Sequence, residues 1–305
     1  MAAHHVTRFR PEDLETPAIF EDRSSGFGRV AHVSGAEGSV HTGFGTGQLA
    51  AGGSIDPHVH SYEESFFVLE GEARLTLDGA TVRIRPGDCG LIPVGATHSW
   101  ANDSEVPCRW IEMDAPQPRD PSREADTFWT GESQPSPGAE TAAELDIRDP
   151  RTRNYFRLGA GQMDVDNLKV GAAVDAPTVS ASMATALLAY SGIAVKMLVD
   201  ERLGARLANM FMVEYQPGGV AQPHDHPLEE SYYILEGEVE FVADGHSYDL
   251  GPGDVAWAGV GCVHAFYNHS PTARVRWLET QAPLPPSAES YRFNRDWDYL
   301  REKLA

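Results

Sequence analysis

Two histidines one residue apart, His58 and His60, begin the pattern with the clearest chemical content, and it returns as His224 and His226. Side chains two apart on an extended strand leave the same face, so each pair presents two imidazoles side by side. A carboxylate stands four residues further on, Glu64 in the first case and Glu230 in the second. That distance allows the chain to turn and return on the neighbouring antiparallel strand. A third imidazole, His98 or His264, follows a further turn, which in the first case is Pro93-Val94-Gly95. Three imidazoles and one carboxylate brought together form a donor set for a divalent transition ion, and the set occurs twice.

The elements that must position these side chains are themselves repeated. A shift of 166 positions carries residues 52–102 onto 218–268 without a gap, and 21 of the 51 aligned residues are identical, too many for chance. The echo continues backward through Ser25-Gly26 and Ser191-Gly192. It also continues forward, after a one-residue slip, from Trp110-Ile111-Glu112 to Trp277-Leu278-Glu279. Within each copy, β-prone runs such as Ser65-Phe66-Phe67-Val68-Leu69 and Ser231-Tyr232-Tyr233-Ile234-Leu235 end in Glu-Gly. Asp78-Gly79 and Asp244-Gly245 are hairpin turn dipeptides. The fold class expected is all-β, with two tandem barrels and a few short helices. The boundaries expected are a first domain over 1–115, a Pro-, Asp- and Glu-rich linker over 116–150, and a second domain over 151–305. Within the linker, Phe128-Trp129 is expected to pack on a domain surface. A short helix is expected near Met183 to Tyr190, and another at the end of the chain, where Trp297, Leu300 and Leu304 have helical spacing.

The chain resembles the cupin family. Gly52, His58, His60, Glu64 and Gly71 fit its first motif; Gly87, Pro93, Gly95, His98 and Asn102 fit its second. The second copy fits both motifs with one departure, Gly259 in place of the usual proline, which is expected to cost only loop rigidity. The resemblance is to a bicupin and covers roughly residues 25–115 and 190–285. It implies a jelly-roll barrel per domain with a divalent metal in its mouth, held by His58, His60, Glu64 and His98 in one and by His224, His226, Glu230 and His264 in the other. The cofactor expected is therefore Fe, Mn, Ni, Co or Zn, up to two ions per chain. Four protein ligands on an octahedral ion leave two adjacent positions open, and three neutral imidazoles with one carboxylate leave a net charge of +1. Such a centre attracts a bidentate anion, an enediolate, carboxylate or catecholate, and polarises it; a redox-active ion can also engage dioxygen.

Strand alternation places Phe66 and Val68 on the face of Glu64, and Tyr232 and Ile234 on that of Glu230. Trp100 and Asn102 share the face of His98, as Phe266 and Asn268 share that of His264. The first pocket thus reads as apolar. The second contains the phenol of Tyr232, the candidate catalytic residue as a hydrogen-bond or proton donor, so the second site is favoured as the reactive one. Glu63 and Glu229 are expected to face solvent. Cys262, two residues before His264, could neighbour the ligands, but it and Cys89 read more simply as small buried residues.

Twenty-four basic against 45 acidic residues give a net charge of −21, which excludes a nucleic-acid or anionic-membrane binder. No apolar run reaches the roughly 20 residues of a membrane span, no leader is visible, and three cysteines make no disulfide framework. A reduced, cytoplasmic protein acting on a small molecule is expected, with homo-oligomerisation left open. The favoured activity is a metal-dependent dioxygenase acting on a small chelating carboxylate, enol or phenol. The alternatives are non-redox metal catalysis (decarboxylase, isomerase, aminohydrolase or cyclase) and a non-catalytic binding or storage protein. Oxalate is disfavoured, because Pro57 and Pro223 stand where oxalate-decarboxylating bicupins carry arginine.

Overall fold

The computed structural model describes residues 3–120, 122–131, 145–163, 190–284 and 292–293. Both expected helices lie outside these residues, apart from Tyr190, which begins a strand. In chain order the strands are β1 (His4–Arg8), β2 (Ser24–Val33), β3 (Gly43–His60), β4 (Glu63–Glu70), β5 (Ala73–Leu77), β6 (Ala80–Ile84) and β7 (Asp88–Ile92). They continue as β8 (His98–Ala101), β9 (Cys108–Ala115), β10 (Thr127–Trp129), β11 (Tyr155–Arg157), β12 (Tyr190–Val199), β13 (Asn209–Asp225) and β14 (Glu229–Glu236). The last are β15 (Val239–Ala243), β16 (His246–Leu250), β17 (Asp254–Ala258), β18 (His264–Tyr267), β19 (Val275–Ala282) and β20 (Arg292–Phe293). Helical structure among the described residues is limited to short 3₁₀ turns, at Pro11–Asp13, Ala18–Phe20 and Glu201–Leu203. None of the described helices is long and apolar enough to cross a membrane.

The strands form two curled ten-stranded sheets of jelly-roll type, one per unit. The first runs β11-β7-β4-β9-β3-β8-β5-β6, with β2 and β10 also on β3; the second runs β1-β17-β14-β19-β13-β18-β15-β16, with β12 and β20 on β13. Each long central strand serves two neighbours. β3 pairs with β9 through residues 43–49, turns a corner, and pairs with β8 through 54–58. The corner carries His58 and His60 from the closed body of the barrel to its mouth. Each interior is aromatic: Trp100 stacks on Trp110 at 4.5 Å in the first unit, and Phe266 on Trp277 at 5.0 Å in the second.

Neither unit is continuous in sequence. The unit around the first sheet comprises Phe9–Gly159 and Leu198–Asn209. The unit around the second comprises Met1–Arg8, Ala160–Met197 and Met210–Ala305. Part of the expected linker is structural, because β10 pairs with the His58–His60 end of β3, just as β20 pairs with the His224 end of β13. Trp129 packs on the first core, as expected of it, while Phe128 beside it is exposed. The edge strands depart from simple duplication. β7 is flanked by β11, which comes after its barrel, whereas β17 is flanked by β1, taken from the beginning of the chain.

That borrowed strand explains Gly259. Its N–H donates to the carbonyl of Ala3 at 2.5 Å, and a Cβ on residue 259 would lie 2.9 Å from the Ala3 Cβ. Proline could supply neither the donor nor the space. The departure from the family motif is thus a docking point for the chain's first residues, not merely a looser loop.

Candidate metal centres

In the first barrel, His58 and His60 from the end of β3 meet His98 from β8, with all three ligand nitrogens within 4.8 Å of one another. Glu64, the second residue of β4, brings its Oε2 to 3.3 Å from His60 Nδ1. His58 Nδ1 donates to the Asp56 carbonyl at 2.7 Å and His98 Nδ1 to the Ala96 carbonyl at 3.1 Å. The Nε2 atoms are thereby left as lone-pair nitrogens. Phe20 and Trp129 wall His58, with ring centroids 5.6 and 5.1 Å away.

The second barrel builds the same set from β13, β14 and β18. His224, His226 and His264 lie within the same 4.8 Å limit, and Glu230 Oε2 sits 2.9 Å from His226 Nε2 and 3.3 Å from His264 Nε2. Here too the Nδ1 atoms face main-chain carbonyls: His224 to Gln222, His226 to Leu228 and His264 to Cys262. Every histidine and carboxylate expected in the two sets is brought together.

The donors fit a divalent ion. His60 Nε2 and His98 Nε2 are buried and hydrogen-bonded to nothing among the described residues, a costly state for an imidazole unless a cation is its partner. Burial lowers the pKa of His58 to about 4 and those of His60, His98 and His224 well below the ordinary range, so these four rings are neutral and able to ligate. At His226 the effect of burial is outweighed by Glu230, which raises it.

The two centres differ behind the carboxylate. Glu230 is held by both oxygens: Tyr232 Oη donates to Oε2 and Gln281 Nε2 to Oε1. Burial would raise its pKa, but His226 and His264 outweigh this and keep it well below the usual carboxylate range. At the position facing Glu64 across the sheet, β9 places Asp114 where β19 has Gln281 opposite Glu230. Burial together with Glu112 pushes Glu64 up. The acids of the first barrel are balanced by two buried arginines, Arg29 and Arg123, which bridge Glu112 and Asp114. Space for Arg29 exists because Gly45 faces it: a Cβ there would lie 2.8 Å from its Nη2. Arg29, Asp114 and Arg123 also line a cavity of about 290 Å³ whose walls include none of the four ligands.

Several neighbour readings change. The first interior is not simply apolar, since it carries the Arg29–Arg123–Glu112–Asp114 network. Glu63 and Glu229 are buried instead of facing solvent, and Glu63 accepts the N–H groups of Arg206 and Leu207. Asn102 and Asn268 are also turned to other work, fastening loops through main-chain bonds to Leu49 and Val106 and to Gln216 and Ala273. The Tyr232 hydroxyl is spent on Glu230 and so is not free to donate elsewhere. The network was missed because Arg29 and Arg123 belong to no motif. The alternation of Trp110, Glu112 and Asp114 on β9 was the available signal.

A cupin domain model matches residues 45–114 and again 211–280. Dimethylsulfoniopropionate lyase DddQ of Ruegeria pomeroyi is 46% identical over 79 residues, 24% of this chain and 39% of that protein. An uncharacterized protein of Aquifex aeolicus is 39% identical over 51 residues, covering 16% of this chain and 42% of its own. The matches thus span about two fifths of these curated relatives. Among solved structures, salicylate 1,2-dioxygenase from Pseudaminobacter salicylatoxidans superposes with a TM-score of 0.64 at 16% identity, over 92% of this chain and 84% of that one. The oxalate decarboxylase of Lactobacillus farciminis, as a formate complex, gives 0.61 at 18% identity over 95% and 88%. At such identities the likeness establishes architecture. With the doubled domain match, the duplicated strand order and two intact His-His-Glu-His sets, the chain belongs to the cupin superfamily as a bicupin.

Proposed function

We propose that this bicupin is a metal-dependent dioxygenase acting on a small chelating organic anion, with the C-terminal centre as the reacting one. The observation that carries this reading is the fixed carboxylate of that centre, Glu230, held through both oxygens by Tyr232 and Gln281. When bound, a divalent ion there supplies Lewis acidity to an anionic ligand and, if redox-active, electrons to dioxygen. The protein's own share is preorganisation. His224, His226, His264 and Glu230 would hold the ion, and carbonyl partners fix the imidazole tautomers. Tyr232 keeps its proton, because burial and Glu230 both raise its pKa, and it stays a donor to Glu230 Oε2. Phe241 and Phe266 pack against Tyr232 and exclude water from the interior behind the ligands.

The test is oxygen uptake by protein reloaded with Fe²⁺, Mn²⁺, Co²⁺ or Ni²⁺, offered a panel of small hydroxy-aromatic, enol and keto acids. Stoichiometric uptake, lost in His224→Ala and kept in His58→Ala, supports the reading; full turnover under strict anaerobiosis refutes it. A second reading is favoured by the local 46% identity to a lyase: non-redox elimination or decarboxylation. Anaerobic turnover would support that reading.

A further inference from the structure

The chain's first strand brings a third group of ligand atoms together, outside both cupin centres. β1 pairs with β17 in the register His4↔Ala258 to Arg8↔Asp254, which lays His4 against the Asp244-Gly245 hairpin and the loop before β18. There His4, Asp244 and Cys262 offer a nitrogen, a carboxylate oxygen and a sulfur, all within 4.8 Å of one another. The His4 side chain is only 7% exposed. Its Nε2 is engaged with Tyr248 Oη at 2.9 Å, while its Nδ1 is buried, makes no hydrogen bond, and lies 3.7 Å from Asp244 Oδ2. Asp244 Oδ1 accepts from the Val263 N–H at 3.1 Å and Oδ2 from the Ala3 N–H at 3.3 Å, and the Cys262 thiol is hydrogen-bonded to the same carboxylate. The Asp244 side chain is 27% exposed, which leaves a path for an ion to enter.

We propose that His4, Asp244 and Cys262 form a third metal site, for a zinc-type divalent ion, which clips the N-terminal strand to the C-terminal barrel. Imidazole, carboxylate and thiolate together are donors for Zn²⁺ or Co²⁺, and two anionic ligands neutralise the ion's charge. Binding forms an S–metal bond as the Cys262 S–H proton passes to solvent. It also requires His4 in the tautomer whose Nε2–H donates to Tyr248, with the Nδ1 lone pair facing the ion. A water, or His246, whose ring lies 5.5 Å from that of His4, completes four-coordination on the open side. The site stands independently of any activity at the cupin centres. Cys262 links it to one of them, since its carbonyl accepts from His264 Nδ1 at 3.0 Å.

Cobalt decides the matter, because a thiolate-to-Co²⁺ charge-transfer band cannot arise from the cupin sets, which contain no sulfur. Full-length protein is stripped with a chelator and titrated with Co²⁺. Wild type should develop the band with one equivalent per chain, and so should a His58→Ala, His224→Ala double variant. Cys262→Ser should abolish the band while keeping the bands of the two cupin centres, which also reports that the variant has folded. His4→Gln should weaken binding at this site by more than about a hundredfold, beyond the cost of losing an outer hydrogen-bond partner. A wild type without the band overturns the proposal. A band that survives Cys262→Ser, or that keeps its affinity in His4→Gln, does the same.

Discussion

At the scale of single residues, the two centres differ in what restrains an otherwise identical ligand set. Tyr232 and Phe66 occupy the same place in the repeat, so Tyr232→Phe installs what the first barrel already tolerates. The variant should fold normally and bind metal at the C-terminal centre about 10–100-fold more weakly, the usual cost of losing an outer-sphere partner. Competition titration with a chromophoric chelator measures it, and an unchanged affinity would detach Tyr232 from the centre. His58 sets a pH dependence for the metal-free protein. Its folded pKa of about 4 lies below the unfolded value of 6.5, so between these limits the unfolded state binds the extra proton and stability falls as pH falls. The loss over that window is on the order of 3 kcal/mol, and His58→Gln should remove it from denaturant curves recorded at pH 7 and pH 4.5. The side chains that the two barrels bring together were legible in the sequence because a metal-binding donor set calls for both residue type and spacing. Arg29, Arg123 and Gln281 were not, since nothing in local spacing tells which polar residue a barrel will bury.

At the scale of elements, the informative strand is β1. The repeat announces the strands of each barrel through alternating patterns and Gly turns, but an edge strand needs only main-chain pairing. The run His4-His5-Val6-Thr7-Arg8 therefore carries no signature of its partner. Its trace in the sequence was negative: a glycine where the motif calls for proline. Gly259→Pro restores the family residue yet removes the N–H that Ala3 accepts and places a ring against that residue. It should destabilise the C-terminal barrel by about 1–3 kcal/mol, the cost of an unmade buried hydrogen bond with steric strain. Calorimetry should show a melting temperature lower by several degrees. Pro93→Gly in the first barrel, where no strand among the described residues docks at that point, should cost only about 0.4–1 kcal/mol through the unfolded state. Equal effects of the two changes would mean that the docking contributes little.

At the scale of the whole molecule, duplication was the most legible property, because two copies of a motif check each other. The allocation of the chain's start to the later barrel was the least legible. Doubling predicts that metal loads the two cupin centres separately. His60→Ala should lower the bound metal by one ion per chain and leave the C-terminal centre filled, and His226→Ala should do the reverse. Inductively coupled plasma analysis of the reconstituted variants counts the ions, and loss of both from either variant would show that the centres depend on each other. The net charge of −21 acts on any anionic substrate before it reaches a centre. Long-range repulsion slows encounter, and salt screens it over about 8–10 Å at physiological strength. For such a substrate kcat/KM should therefore rise with ionic strength; a fall would point to a cationic or zwitterionic substrate.

The pairing of β1 with β17 also orders events in time. Arg8 and Asp254 are separated by 246 positions, so the strand emerges from the ribosome long before the edge it will cover has been synthesised. The first sheet has all its strands by Arg157 and can pair while translation continues, as N-terminal domains generally do, with the 198–209 segment of its unit added afterwards. The β1 segment must wait, unpaired, through most of synthesis, and its contact closes one of the longest loops in the chain. Because the entropy of loop closure is lost before the contact repays it, such long-range pairings form late. Pulsed hydrogen exchange during refolding should find the amides of His4–Arg8 among the last to gain protection. In the interval the outer edge of β17 stands open, and that is when a second nascent chain could donate its own first strand.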